Sequence, residues 1–245
     1  MDYLLVVSFF AIAMIYASVG FGGGTSYLAL MAMMAVPFET MRPAALLCNI
    51  VVVTGGTWIF YREGLLDIRQ SWPFLVFSVP LAFVGGYFPI REGTFFIILG
   101  LTLIVAAIVL WFQDNLSGSG TVREGSPWYQ GALLGGGIGF LSGLVSVGGG
   151  IFLSPLLHFL GWDHAKKISA LASAFILVNS LGGLAGQFTR SATFDWSLIL
   201  PLAVAVLAGG QVGSRWGARK FNAVHIRKVT ALLIFVAGMN ILFNH

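Results

Sequence analysis

Two glycine triplets are the residues of this sequence best suited to bind a small molecule: Gly22, Gly23 and Gly24, and Gly148, Gly149 and Gly150. Each interrupts a long apolar stretch, where a broken helix leaves backbone N–H and C=O groups without partners. The N–H groups after each triplet carry the positive end of a helix dipole, which favours anions. Two such ends facing each other would bind an anion without a buried cation. The alternative, in which the glycines only let helices pack closely, stays open.

Few polar side chains lie within the apolar stretches, and those near the triplets are candidate ligands. The hydroxyl donors are Thr25, Ser26 and Ser146, and the amide donors are Asn49 and Asn179, which follow their triplets at similar distances. The hydroxyls can instead bond to carbonyls of their own helix. For each Asn, an interhelical hydrogen bond and a substrate contact are equally consistent with the sequence. We interpret His158 as a satisfied or interfacial side chain rather than a proton-coupling residue.

No enzyme signature accompanies these residues. The sequence has no His-Glu-x-x-His, no Gly-x-Ser-x-Gly and no phosphate-binding Gly-Lys-Ser/Thr loop. The apolar stretches also lack Asp and Glu, which argues against a carboxylate-based pump. Cys48 is the single cysteine, which excludes a disulfide within the chain and a cysteine metal cluster. The sequence therefore predicts no catalytic residue, no metal site and no cofactor.

The composition places the triplets in a membrane. Of the 245 residues, 58% are apolar and 9% are charged, against roughly 25% charged in an ordinary soluble domain. The stretches without Asp, Glu, Lys or Arg run over 3–38, 43–61, 70–90, 93–113, 125–162, 168–189, 196–214 and 229–245. About 20 apolar residues cross a bilayer core, so we predict an all-α polytopic membrane protein whose partner is the lipid bilayer. The net charge of +4 reflects cations between spans and not nucleic-acid binding.

The stretches repeat one pattern, a long one followed by three short ones. The copies also match in sequence: Ser18 to Gly24 recurs as Ser146 to Gly150, Thr54-Gly55-Gly56 as Leu181-Gly182-Gly183, and Gly85-Gly86 as Gly209-Gly210. We predict one transmembrane domain of two repeats, 1–113 and 128–245, joined by a polar linker at 114–127. A homodimer is left open, because the Gly-Gly pairs suit a subunit interface or an intrachain one.

The second repeat is predicted to be inverted. Residues 25–36 would extend about 18 Å as a helix, too short for a core of about 30 Å, so each triplet joins two short elements that either re-enter or together cross. Three more helices follow in each copy, and both arrangements give an odd count per repeat. The loop before the last helix carries one cation in copy one, Arg91, and five in copy two, between 215 and 228, as opposite faces require. Both termini are expected outside.

The chain resembles the TauE/SafE sulfite exporter family of bacterial and plant membrane transporters. The motifs that carry the resemblance are Gly20-Phe21-Gly22-Gly23-Gly24, the second triplet, and Gly209-Gly210-Gln211-Val212-Gly213-Ser214-Arg215. The resemblance implies transport, usually export, of sulfite or small organosulfonates across a cell's inner membrane, with the termini then periplasmic. We expect this small anion to bind near the midplane between the two half-helix ends, with alternating access. An anion channel with the same pore and a non-transporting assembly component are the alternatives.

Overall fold

The computed structural model describes residues 3–18, 20–116, 127–190, 194–217 and 223–244. Its helices are α1 (Tyr3–Ala17), α2 (Gly24–Met33), α3 (Phe38–Arg62), α4 (Ile68–Tyr87), α5 (Glu92–Leu116), α6 (Trp128–Val145), α7 (Gly150–Phe159), α8 (Ala165–Phe188), α9 (Trp196–Val212) and α10 (Ala223–Asn244), with a π-helical turn at Gly213–Gly217. The described residues contain no strand, which confirms the all-α prediction. α5 extends three residues into the predicted linker at 114–127, whose residues 117–126 lie outside the described part.

Four helical segments are long and apolar enough to cross a membrane: Phe38–Arg62, Glu92–Phe112, Ala165–Phe188 and Trp196–Arg215. Large apolar side chains lie exposed along α5 at Ile97, Leu101 and Val105, each more than half accessible. A soluble protein rarely exposes a continuous apolar face of this kind. The chain is therefore a polytopic membrane protein.

Each glycine break joins two short helices that fold back on each other. The ring of Tyr27 on α2 stacks on Phe9 of α1 with centroids 4.5 Å apart, so α2 returns along α1. Gly23 packs against Ile12 in the first hairpin, and Gly149 packs against Ile138 in the second. Whether these hairpins re-enter or cross the membrane stays a prediction.

The helices of the two repeats make matching contacts. α4 packs against α6 and α8, and in the same way α9 packs against α1 and α3. The corresponding helices α3 and α8 also pack against each other, and they run in opposite directions, because Thr57 lies beside Ser173 whereas Leu46 lies beside Gly183. An inverted second repeat requires these opposed directions. The inverted orientation within a membrane stays a prediction.

Glycines bring the backbones of neighbouring helices into contact. Side chains built at Gly135 and Gly139 of α6 would meet backbone oxygens of α4 at 2.5 and 2.6 Å, as in the small-residue packing of membrane helices. Gly85 lies against the backbone of Phe140, and Gly209 against that of Phe10. Both glycine pairs therefore serve intrachain contacts, and the homodimer stays a prediction.

Candidate anion site at the glycine breaks

The two glycine breaks meet at Asn49, in the middle of α3. Asn49 is fully buried, and its Nδ2 donates a hydrogen bond to the backbone oxygen of Val147 at 3.0 Å. Gly22 and Gly24 of the first break lie against the same amide. Because Val147 belongs to the second break, one side chain joins the predicted halves of the site.

The structural counterpart of Asn49 is Ile176 and not Asn179. The alignment of Gly55-Gly56 with Gly182-Gly183 sets an offset of 127 residues, which pairs Asn49 with Ile176. Ile176 likewise lies against glycines of both breaks, Gly22 and Gly148. Asn179 follows its triplet at a similar distance but does not occupy the position that corresponds to Asn49. The centre has an amide on one side and an apolar side chain on the other.

Several buried polar atoms of α6 and α8 lack hydrogen-bond partners, and the side chains of Ser142 and Ser180 lie at the second break. Neither amide atom of Asn179 has a hydrogen-bond partner, and the hydroxyls of Ser142 and Ser180 also lack one. The Ser180 hydroxyl lies 3.1 Å from the position of a side chain at Gly148. An unsatisfied buried polar group costs about 1–3 kcal/mol, and such groups often mark a water or ligand position. The second break therefore has hydroxyl neighbours whose hydrogen-bonding capacity is unused.

The short helices α2 and α7 present their N-terminal ends at the breaks. Their N-caps, Gly23 and Gly149, have left-handed backbones (φ 90° and 81°) and supply no capping side chain. The first N–H groups of each helix therefore lack intrahelical partners, as predicted. The N–H of Phe152 is an exception, because it donates to the carbonyl of Gly149 at 3.1 Å.

The hydroxyls of Thr25 and Ser26 face α1. The hydroxyl of Tyr16 lies 2.7 Å from Ser26 Oγ and 3.5 Å from Thr25 Oγ1. The structure thus places these two side chains against a helix of their own repeat, and only their backbone N–H groups stand at the break. His158 Nδ1 lies 2.8 Å from the Ser154 carbonyl oxygen, the local contact of a satisfied histidine.

Arg42 is a buried cation beside the second glycine break. Arg42 is only 9% exposed. Its guanidinium donates two hydrogen bonds, from Nε to Ser146 Oγ at 3.3 Å and from Nη2 to the backbone oxygen of Leu144 at 3.1 Å. A buried cation therefore lies next to the second break, where the sequence predicts none. The charge-free stretch that starts after Arg42 predicts a position for this residue between spans. The available signal was Glu39 after Pro37, a helix-start pattern that puts Arg42 inside α3.

Ser146 has a backbone conformation that favours glycine. Its φ is 59°, and its counterpart in copy one is Gly20, with a φ of 83°. A non-glycine residue in this region costs roughly 1–2 kcal/mol, and such strain is often found at functional sites. The Ser146 hydroxyl accepts hydrogen bonds from Arg42 and from Gln187 Nε2, the latter at 2.8 Å. With both lone pairs in use, its own O–H is free to donate.

Two cavities approach the breaks from opposite ends of α3. Arg42 lines one of about 210 Å³, together with Gln187 and Arg190. The other, of about 110 Å³, is lined by Gly20 and Glu63, among others. At 1.5 Å per residue, Arg42 and Glu63 lie about 30 Å apart along α3, close to the thickness of a bilayer core.

Comparisons with known proteins agree with this architecture. A family model described as "Sulfite exporter TauE/SafE" matches residues 4–241. "Probable membrane transporter protein y4hK" of Sinorhizobium fredii is 32% identical over 246 residues, covering 98% of this chain and 97% of that protein. "Probable membrane transporter protein YunE" of Bacillus subtilis is 23% identical over 223 residues, covering 80% and 78%. A protein named undecaprenyl-diphosphatase, from Kineococcus radiotolerans, is 25% identical over 152 residues, 60% of this chain and 53% of that protein. No solved structure matches.

Proposed function

The chain belongs to the TauE/SafE sulfite exporter family, and on that premise we propose that it is a secondary transporter that exports small sulfur oxyanions. Sulfite and organosulfonates are the proposed substrates. We place the protein in the inner membrane of the cell, with both termini on the outer side, because most of the cations then lie on the inner side. The proposal includes no enzymatic activity.

The contact between the two glycine breaks at Asn49 is the observation that carries this proposal. Transporters built from two repeats hold their substrates where broken helices of the two halves meet. Here the first break contacts Asn49 directly, and Asn49 donates to Val147 of the second break. A purely structural use of the glycines would not require the two breaks to meet around unpaired polar atoms.

We assign the anion contacts by the chemistry that each break exposes. In the first break, the N–H groups of Gly24, Thr25 and Ser26 face the substrate, and Gly22 and Gly23 let its oxygens approach the backbone. In the second break, Gly148, Gly149 and Gly150 have the same role. Asn49, Asn179 and the Ser146 hydroxyl add side-chain donors.

The two cavities support alternating access as the mechanism. They lie at opposite ends of α3, and Asn49 and Ile176 occupy the centre between the breaks. Movement of one repeat against the other would widen one cavity while it narrows the other. The anion would then reach the breaks from one face at a time, which distinguishes a transporter from a channel.

A substrate panel in liposomes tests this function. The purified protein is reconstituted, and the uptake of sulfite, sulfoacetate, taurine and sulfate is measured, with hydrolysis of undecaprenyl diphosphate assayed in parallel. We expect saturable transport of sulfite or an organosulfonate and no hydrolysis. Ohmic single-channel currents would indicate a channel. If no anion moves above the rate of empty liposomes, the proposal fails.

A further inference from the structure

We propose that Arg42, Gln187 and Arg190 form an oxyanion-binding site in the larger cavity, next to the second glycine break and on one face of the protein only. The identity of its ligand rests on the proposed transport function. The site itself rests on the charge, burial and contacts of these residues.

Arg42 is a buried cation without a buried counter-ion. Within the part of the chain that the structure describes, no carboxylate oxygen lies within 4.0 Å of its guanidinium. Glu39 lines the same cavity but makes no ion pair with Arg42. Phe38 and Phe95 lie under the guanidinium with ring centroids 5.5 and 5.4 Å away. Burying an unpaired charge costs several kcal/mol, so a bound anion would relieve an existing penalty.

The guanidinium has donors left for a ligand. Of its five N–H groups, the structure pairs one on Nε and one on Nη2, with Ser146 and Leu144. These two bonds fix the orientation of the planar group, which can then present its free N–H groups to two oxygens of one anion. The chemical class that fits is a small anion with several equivalent oxygens, such as sulfite or a sulfonate headgroup.

Ser146 and Gln187 extend this donor set. Because the Ser146 hydroxyl already accepts two hydrogen bonds, its proton points to a further acceptor. Gln187 Nε2 keeps a second N–H beyond the one that it gives to Ser146. Arg190 adds a second cation at the mouth of the cavity. The volume of about 210 Å³ holds a small oxyanion and several waters, each of which takes about 30 Å³ in the liquid.

The other half of the protein does not repeat this site. At the offset of 127 residues, Arg42 corresponds to Ser169 and Gln187 corresponds to Phe60. The counterpart of Arg190 is Glu63. Gly20 packs against Ser169, as Ser146 contacts Arg42, which supports this correspondence. The smaller cavity thus carries a carboxylate in place of the second cation. We expect higher anion affinity from the Arg42 face than from the opposite one.

Charge-removing variants test the site in the full-length protein. Arg42→Gln should raise the sulfite concentration for half-maximal transport at least tenfold. Arg42→Lys should give an intermediate value, because an ammonium cannot pair with two oxygens as a guanidinium does. Arg190 is exposed, so Arg190→Gln should raise the half-maximal sulfite concentration only about threefold, by weakening the long-range attraction between the cavity and the anion. Arg62→Gln is the matched control: it removes the same charge at the other end of α3 and should change nothing.

Binding is measured separately from transport, as the shift in unfolding temperature that sulfite, sulfoacetate or sulfate gives to the detergent-solubilised protein. We expect a shift in the wild type that Arg42→Gln and Arg190→Gln reduce. If Arg42→Gln does not fold, Arg190→Gln and Arg62→Gln still give the comparison. The site would be overturned, with transport left intact, if Arg42→Gln and Arg190→Gln both bind the anions and reach half-maximal transport as the wild type does. If only Arg190→Gln folds, the same result in that variant alone would overturn the site. Binding without transport in the wild type would instead overturn the transport function, and binding of none of the three anions would overturn the site.

Discussion

Asn49 Nδ2 lies 3.0 Å from the backbone oxygen of Val147, a residue 98 positions later in the chain. The bond joins a helix of the first repeat to the glycine break of the second. Its partner atom, Asn49 Oδ1, is buried and unpaired. One N–H of the amide therefore links the two repeats. The second N–H of Nδ2 can donate to an anion, whereas Oδ1 can only accept, for example from a water.

Asn49→Leu removes this bond with little change in volume. The Val147 oxygen would be left buried without a donor, which costs about 1–3 kcal/mol. We expect a lower unfolding temperature in detergent and at least tenfold slower sulfite transport. Ile176→Leu alters the apolar counterpart without loss of a hydrogen bond and is the control. Equal stability and transport in Asn49→Leu and the wild type would contradict the role assigned to Asn49.

Gly148→Ala tests the close approach at the second break. The residue has a φ of 89°, and a side chain there would lie 2.9 Å from Ile176 and 3.0 Å from Asn49. We expect transport to be lost. Gly137→Ala, at a site with open space on α6, should leave transport unchanged and gain about 0.5–1 kcal/mol of stability as a helical Gly-to-Ala change. Wild-type transport by Gly148→Ala would show that the break has only a packing role.

Ser146→Gly and Ser146→Ala separate backbone strain from hydroxyl chemistry. Both remove the acceptor of Arg42 and Gln187, so both should raise the sulfite concentration for half-maximal transport. Only Gly relieves the left-handed backbone, so Ser146→Gly should be more stable than Ser146→Ala by about 1 kcal/mol. The measurements are thermal unfolding and liposome uptake. Half-saturation values equal to that of the wild type would show that the hydroxyl has no part in binding.

Single cysteines in a Cys48→Ala background test the inverted topology. Gln70, near the start of α4, and Ser197, near the start of α9, are both exposed, and α4 and α9 are corresponding helices. We expect a membrane-impermeant maleimide to label Gln70→Cys and Ser197→Cys from opposite faces of the membrane. Cys48 is buried, so its removal lowers the background without exposing a new thiol. Labelling of both positions from one face would exclude the inverted arrangement.

Local signals in the sequence were enough for the overall fold. Charge-free stretches predicted the all-α membrane class, and the triplets at 22–24 and 148–150 predicted where the helices break. The same local reasoning located Asn49, because an amide in an apolar helix needs a partner. It could not identify Val147 as that partner, since the contact depends on how α3 and the second hairpin pack.

The burial of Arg42 was beyond local reasoning, even though a helix-start signal places the residue inside α3. Arg42 follows Met41 at the edge of an apolar stretch, where arginine normally marks the membrane interface. Its burial depends on Ser146 and Leu144, more than a hundred residues away. Asn179 was paired with Asn49 on spacing alone, whereas the helix register assigns that position to Ile176. Spacing therefore found the two breaks, but three-dimensional packing decided which side chains meet there.

The initial rate of sulfite exchange in liposomes tests the central claim most directly. Purified wild-type protein and Gly148→Ala are reconstituted side by side, and exchange is followed over a range of sulfite concentrations. We predict saturable exchange by the wild type. We predict that exchange by Gly148→Ala does not exceed that of empty liposomes. Wild-type rates no higher than those of empty liposomes, or equal rates for the two proteins, would contradict the proposal that the glycine breaks carry the anion.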